Sequence, residues 1–318
     1  MKNSFKNLIM LIMEGGNKAK SDPIPKEFIK STLKEFSKEF KKAVPGIKFN
    51  YSVLGSAGHK PLSGDLDLSL DISEFLNSDN ILKKNSLFDR KEFEIRYEKL
   101  KSRSKTSKEN KLRVKALCQL LYEKLDRSGM SDYLVDSDSA KVENTIFFKY
   151  PQVNEKGIKQ ETTVQIDLNI GNKEWLNFAY YSSPNIYSDE FKAKYGSLKG
   201  LHRTQLLVAL FNAADLTFDH TSGIKDKTTK EIIGKNPEEA LKILNSRYKN
   251  LNLKITDVDN YASLMNRIRN LSPSEEEKVI KSYLTILHSA GYEDYEKPKD
   301  LENEIKKYGF VQKMRGSK

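Results

Sequence analysis

Asp65 and Asp67 alternate with three leucines in the run Gly64-Asp-Leu-Asp-Leu-Ser-Leu70. On a strand, residues i and i+2 point to one face, about 6–7 Å apart. Both carboxylates therefore project together, while Leu66, Leu68 and Leu70 point to an opposite, buried face. Carboxylates so placed are hard oxygen ligands for Mg²⁺ or Mn²⁺, ions held by a few carboxylates, waters and substrate phosphates. A pair of such ions roughly 4 Å apart can hold the attacking and leaving oxygens of an in-line phosphoryl displacement. Upstream, Gly55-Ser56 leaves the apolar run ending at Leu54. Gly55 lets the backbone approach a ligand closely. Ser56 and the amides after it can donate to phosphate oxygens, as a helix start or an anion nest does.

Strands must present these groups. Lys48 to Leu54 alternates as one strand and Gly64 to Ile72 as the next. Ahead of them, Asp22-Pro23-Ile24-Pro25 reads as a turn into a helix, with Phe28, Ile29, Leu33, Phe36 and Phe40 at helical spacing. Pro45-Gly46 ends that helix. Gly-Ser recurs at Gly196-Ser197 and Gly316-Ser317, and Asp-x-Asp alone is common in turns. The information lies in the whole combination, with an apolar strand on each side.

That combination closely resembles the signature of the DNA polymerase beta-like nucleotidyltransferase superfamily. The lysine- and asparagine-rich style is similar to that of nucleotidyltransferase-like proteins of large tailed phages. The resemblance implies an α/β fold, a mixed sheet flanked by helices, followed by a mostly helical C-terminal region. It implies transfer of a nucleoside monophosphate from a nucleoside triphosphate to an acceptor hydroxyl, with pyrophosphate release and two Mg²⁺ or Mn²⁺ ions. Asp65 and Asp67 would ligate both metals, and Gly55 and Ser56 would hold the β- and γ-phosphates. The superfamily places a third carboxylate on a neighbouring strand, and Asp167 matches that place by context. In Thr162 to Ile170, Val164, Ile166, Leu168 and Ile170 share one face, and Thr163, Gln165, Asp167 and Asn169 share the other. Asp167 would complete the metal site nearest the attacking hydroxyl and help accept its proton. Its distance in sequence from Asp67 implies an insertion, and a solvent-facing strand aspartate is the competing reading.

The chain has 318 residues, 31% of them charged, with a net charge of +11. Mean hydropathy is −0.64 and the pI about 9.3. Such a balance favours polyanionic partners, so a nucleic-acid acceptor is expected. The expected domains are a catalytic domain over residues 1–200, with a basic helical insertion near 86–128, and a helical region over 201–318. Lys101, Arg103 and Lys105 belong to a lysine-rich stretch, Lys99 to Lys115, that reads either as a solvated face or as a phosphate-contact surface near the site. The only cysteine, Cys118, sits in a helical apolar pattern and reads as core. Leu8 to Met13 is too short to span a bilayer, so no membrane association and cytoplasmic residence are expected. The sequence leaves the oligomeric state open.

Asn144 to Tyr150 and Thr162 to Ile170 flank Asn154-Glu155-Lys156-Gly157 as a hairpin. Trp175, Phe178, Tyr180 and Tyr181 either pack as core or stack on a base. Lys199, His202 and Arg203 open an apolar helix, where they either face a triphosphate or lie at the surface. Residues 215–235 lack periodicity and read as a long loop, in which Asp219-His220 looks incidental. Helices follow at Pro237 and at Ser272-Pro273-Ser274-Glu275, a capping-box pattern. The signature does not name the acceptor. A catalytically silent nucleic-acid-binding protein of the same fold, or a transferase acting on a small molecule or a protein, would carry the same motif.

Overall fold

The computed structural model describes residues 19–45, 49–71, 90–103, 109–135, 144–196 and 198–289. Leu8 to Met13, Lys105 and the basic run from Lys306 lie outside the described residues. The chain divides into two compact units, with described residues 19–180 and 220–222 in the first, and 181–219 and 223–289 in the second.

The first unit opens with β1 (Ile24–Pro25) and α1 (Lys26–Ala43). β2 (Tyr51–Val53), β3 (Leu62–Ser63) and β4 (Asp65–Asp71) follow. α2 (Arg90–Arg103) and α3 (Glu109–Asp126) lead to β5 (Thr145–Val153), β6 (Lys159–Gly171) and α4 (Lys173–Ala179). The main sheet has the order β2-β4-β6-β5. β4 runs parallel to β6, and the other two pairings are antiparallel, so the sheet is mixed. The expected hairpin is β5–β6. Its loop is tied by Asn154, whose Oδ1 accepts from the amides of Lys156 and Ile158, each at 3.0 Å.

Period-two alternation gives this sheet two unlike faces. Leu66, Leu68 and Leu70 of β4 and Ile166, Leu168 and Ile170 of β6 join one core. α1 covers it with Ile29, Leu33, Phe36 and Phe40, and the Phe36 ring meets Phe148 edge-on at 5.0 Å. Thr32 fastens α1 to β5, its hydroxyl accepting from the Val153 amide at 2.9 Å. α3 packs on the same side through Leu117, Leu120, Leu121 and Leu125, with Cys118 buried beside them. The expectation that the basic helical segment emerges beside the carboxylates is thereby corrected. Apolar periodicity commits α3 to the leucine face, and the carboxylates point the other way.

The second unit holds α5 (Asp189–Tyr195) and α6 (Leu201–Ala213). Residues 215–235 are not a long loop. They form a three-stranded antiparallel meander, β7 (Leu216–Asp219), β8 (Gly223–Asp226) and β9 (Ile232–Gly234). Strands this short carry too few residues for alternation to register. α7 (Pro237–Arg247), α8 (Tyr261–Ile268) and α9 (Pro273–Ser289) complete the unit, and α9 packs against α6. At the head of α9, Glu275 accepts from the Ser272 amide at 3.1 Å. Among the described residues, no helix is long and apolar enough to cross a membrane.

Candidate active site

The polar face of the main sheet gathers the acids. Asp67 and Asp167 are register partners on the parallel strands β4 and β6, and Asp65 stands opposite Gln165. Registered neighbours on adjacent strands lie about 4.8 Å apart and point to the same side. Asp65, Asp67 and Asp167 therefore share one face, although 102 residues separate Asp67 from its other neighbour on that face, Asn169. Asp65 and Asp67 are half-buried and Asp167 is buried.

Two side-chain amides flank Asp167 on β6, and each holds a carboxylate. Asn169 Nδ2 donates to Asp67 Oδ1 at 3.3 Å, and the Thr145 hydroxyl donates to Asn169 Oδ1 at 2.9 Å, which fixes the direction of the amide. Gln165 Nε2 donates to Asp167 Oδ2 at 3.1 Å, and the Ala19 amide donates to Gln165 Oε1 at 2.9 Å. The pattern is oriented amides, i±2 from an acid, with their own acceptors occupied. Sequence reasoning put Gln165 and Asn169 on the right face but gave them no role. The signal was their spacing around Asp167.

The turn from β2 brings Gly55 over this face. The Leu54 amide donates to Asp67 O at 2.8 Å, and the Gly55 amide to Tyr180 O at 3.1 Å. Gly55 has φ +66°, and a Cβ built there would sit 3.4 Å from Asp67 Oδ2. Only glycine adopts that conformation without strain and leaves that space open. Ser56 is half-buried, its carbonyl closes the turn by accepting from the His59 amide at 3.1 Å, and its hydroxyl makes no hydrogen bond among the described residues.

Electrostatics mark the same residues. Burial raises the Asp65 carboxyl above its ordinary range, and the nearby Lys60 ammonium partly offsets this. Asp67 is pushed up to about 7, first by burial and then by the charge of Asp65, with Asn169 opposing. Two carboxylates that resist ionising together are a set short of positive charge. Lys60 and Lys149 are cations that sequence reasoning missed. Lys149 stands opposite Gln165 on the edge strand β5, exposed and on the polar face.

The donor set fits a divalent cation of the Mg²⁺ type. Among the described residues, no three His, Cys, Asp or Glu side chains are drawn into a ready cage. Mg²⁺ needs none, because it keeps several waters and is held by one or two carboxylates plus substrate phosphates. A Cβ at position 55 would come into contact with Asp67 Oδ2 at 3.4 Å, so the glycine keeps that oxygen uncrowded.

Lys199, His202 and Arg203 belong to the second unit, and only Lys199 is exposed there. His202 Nδ1 is 2.8 Å from the Tyr283 hydroxyl, and Arg203 Nε donates to Val258 O at 2.7 Å. The reading of His202 and Arg203 at an open helix start is corrected, because every residue from His202 to Phe211 is buried. Lys101 and Arg103 are both exposed at the end of α2, but two positions on a helix are about 200° apart, so they do not share a face. Trp175 and Phe178 are core, their rings 5.5 Å apart. Asp219 is paired with Lys225 inside the meander.

No protein-family model matches the chain, and no curated protein matches its sequence.

Proposed function

We propose that the chain is a metal-dependent nucleotidyltransferase of the DNA polymerase beta-like superfamily, moving a nucleoside monophosphate from a triphosphate to an acceptor hydroxyl on nucleic acid. One observation carries the reading. Asp65, Asp67 and Asp167 share a face of two parallel strands, and a left-handed glycine leaves one of them uncrowded. Asp65 and Asp67 would hold two Mg²⁺ or Mn²⁺ ions, with Asp167 completing the set. When bound, such ions neutralise phosphate oxygens and the developing charge of an in-line displacement.

The chain's own residues do the rest. The Ser56 hydroxyl donates to the β- and γ-phosphates from a turn whose Gly55, Gly58 and His59 amides are already tied within the chain, and Lys60 adds positive charge beside Asp65. Asn169 and Gln165 hold Asp67 and Asp167 in fixed orientations. Asp167 accepts the proton of the attacking hydroxyl, and pyrophosphate departs on the opposite side. The net charge of +11 supports a polyanionic acceptor.

The deciding experiment is incubation with each α-labelled nucleoside triphosphate and Mg²⁺ or Mn²⁺, offered against RNA, DNA and protein. Label should enter nucleic acid with the parent chain and not with Asp65→Asn or Asp67→Asn. Label on protein or on a small molecule would reassign the acceptor. Absence of transfer under every combination would leave a silent nucleic-acid-binding protein, and transfer by both variants equal to the parent's would remove Asp65 and Asp67 from the reaction.

A further inference from the structure

On the leucine side of the first unit, α2 and α3 enclose a recess of about 480 Å³. A second recess, of about 600 Å³, opens where α3 passes the end of α1. Lys124 and Arg127 line both, so the two recesses adjoin. α2 contributes Arg96, Lys99 and Arg103, which at i, i+3 and i+7 form one stripe about 10 Å long. Lys42 of α1 lines the far end.

The acids along this track are already engaged. Glu123 takes Arg96 as a two-pronged pair at 2.6 and 2.7 Å, and Glu92 takes Lys124 at 2.9 Å. Glu39 takes Lys159 at 2.7 Å and the Tyr150 hydroxyl at 2.9 Å. Lys42, Lys99, Arg103 and Arg127 are all exposed and have no carboxylate partner among the described residues. These pairs fix the walls of the track and leave its surplus charge positive. Ile95, 61% exposed, adds an apolar spot on the same wall.

We propose that this track is a nucleic-acid anchoring site, gripping the phosphates of a strand on the side of the sheet opposite the carboxylates. Four such cations spread over two adjoining recesses match a repeating anion, whereas a single small anion would use only one or two of them. Binding here does not depend on the transferase reading. Its role, holding a long acceptor while one end reaches the acid face, does rest on that reading.

Fluorescence anisotropy with labelled single-stranded RNA, single-stranded DNA and duplex, without triphosphate or divalent ions, tests the groove alone. The variant Lys42→Ala/Lys99→Ala/Arg103→Ala/Arg127→Ala should bind about tenfold or more weakly at low salt. Its log–log salt slope should flatten by about 3, at roughly 0.7 for each single-strand phosphate no longer neutralised. A matched variant, Lys30→Ala/Lys34→Ala/Lys156→Ala/Lys242→Ala, removes the same charge from exposed positions elsewhere and should keep most of the affinity. Circular dichroism melts check that both variants fold. Because neither triphosphate nor a divalent ion is present, a failure of binding here is distinct from a failure of transfer at the acid face. Equal losses in the two quadruple variants would reduce the effect to net charge and overturn the proposal. So would unchanged affinity in the groove variant, or preferential binding of polyglutamate, which would assign the track to an acidic protein.

Discussion

Arg203 in the second unit and Asp67 in the first are charged residues drawn away from water, and the chain handles them in opposite ways. Burial pulls the Arg203 pKa down to about 9, and the chain offsets part of that cost with its own groups. Arg203 Nε donates to Val258 O, its guanidinium lies 5.7 Å from the Tyr181 ring, and the charge of Asp259 supports its own. Asp259 is in turn held by the Ser183 and Tyr181 hydroxyls, both at 2.7 Å. Asp67 has one amide donor and a like-charged neighbour. A buried charge whose partners are all in the chain is an element of architecture. A charge left in mutual repulsion is one that a bound cation would relieve.

The comparison breaks most visibly in activity. Asp67→Asn should lower transfer of labelled monophosphate by about 100-fold or more, the scale at which loss of one transition-state-stabilising group is felt. The fold should survive, as judged by circular dichroism. Substitution of Arg203 should do the reverse. Arg203→Met leaves Val258 O and Asp259 without their cation and should destabilise the second unit by about 3 kcal/mol in urea unfolding. If Arg203→Met melted like the parent while Asp67→Asn unfolded, the two roles would be exchanged.

A third test uses pH. The folded pKa of Asp67, about 7, lies above the ordinary 3.8, so between these values the folded state binds more protons than the unfolded one. Stability of the metal-free protein should therefore fall as pH rises through this window and level off above 7. Asp67 is half-buried, which limits the loss between pH 5 and 8 to about 1–2 kcal/mol. Mg²⁺ should restore melting temperature at pH 8 much more than at pH 5, and Asp67→Asn should flatten the profile. A metal-free profile that rises with pH would contradict the repulsion. The smallest effect is expected at Gly55. Gly55→Ala places a side chain at φ +66° and should lose about 1 kcal/mol in thermal melts. It should also raise the KM for triphosphate a few-fold, by crowding Asp67 Oδ2.

Much of the first unit was readable because its strands alternate cleanly. Leu66, Leu68 and Leu70 fix which way β4 faces, Val164 to Ile170 fix β6, and the acids then have only one side to occupy. The side taken by the basic helices was not readable from charge. It followed from Leu117, Leu120 and Leu121, whose burial leaves Lys99, Arg103 and Arg127 on the outer surface of that layer. His202 and Arg203 were misplaced because a helix start was read without its surroundings. A helix apolar on every side must be buried, and the polar residues within it must find partners there. The meander escaped because β7, β8 and β9 have four residues or fewer each.

The parallel pairing of β4 with β6 also dictates an order of assembly. β5 and β6 are joined by a short turn and can zip locally, whereas β4 reaches β6 only after α2 and α3 have been laid down between them. Closing so long a loop is entropically unfavourable until the leucine faces meet, so this pairing is late. In pulse-labelled hydrogen exchange during refolding, amides of β5 and β6 should gain protection before those of β4. Late pairing would bring Asp167 beside Asp65 and Asp67 only at the close of folding, once the core behind them is ready to hold all three in place.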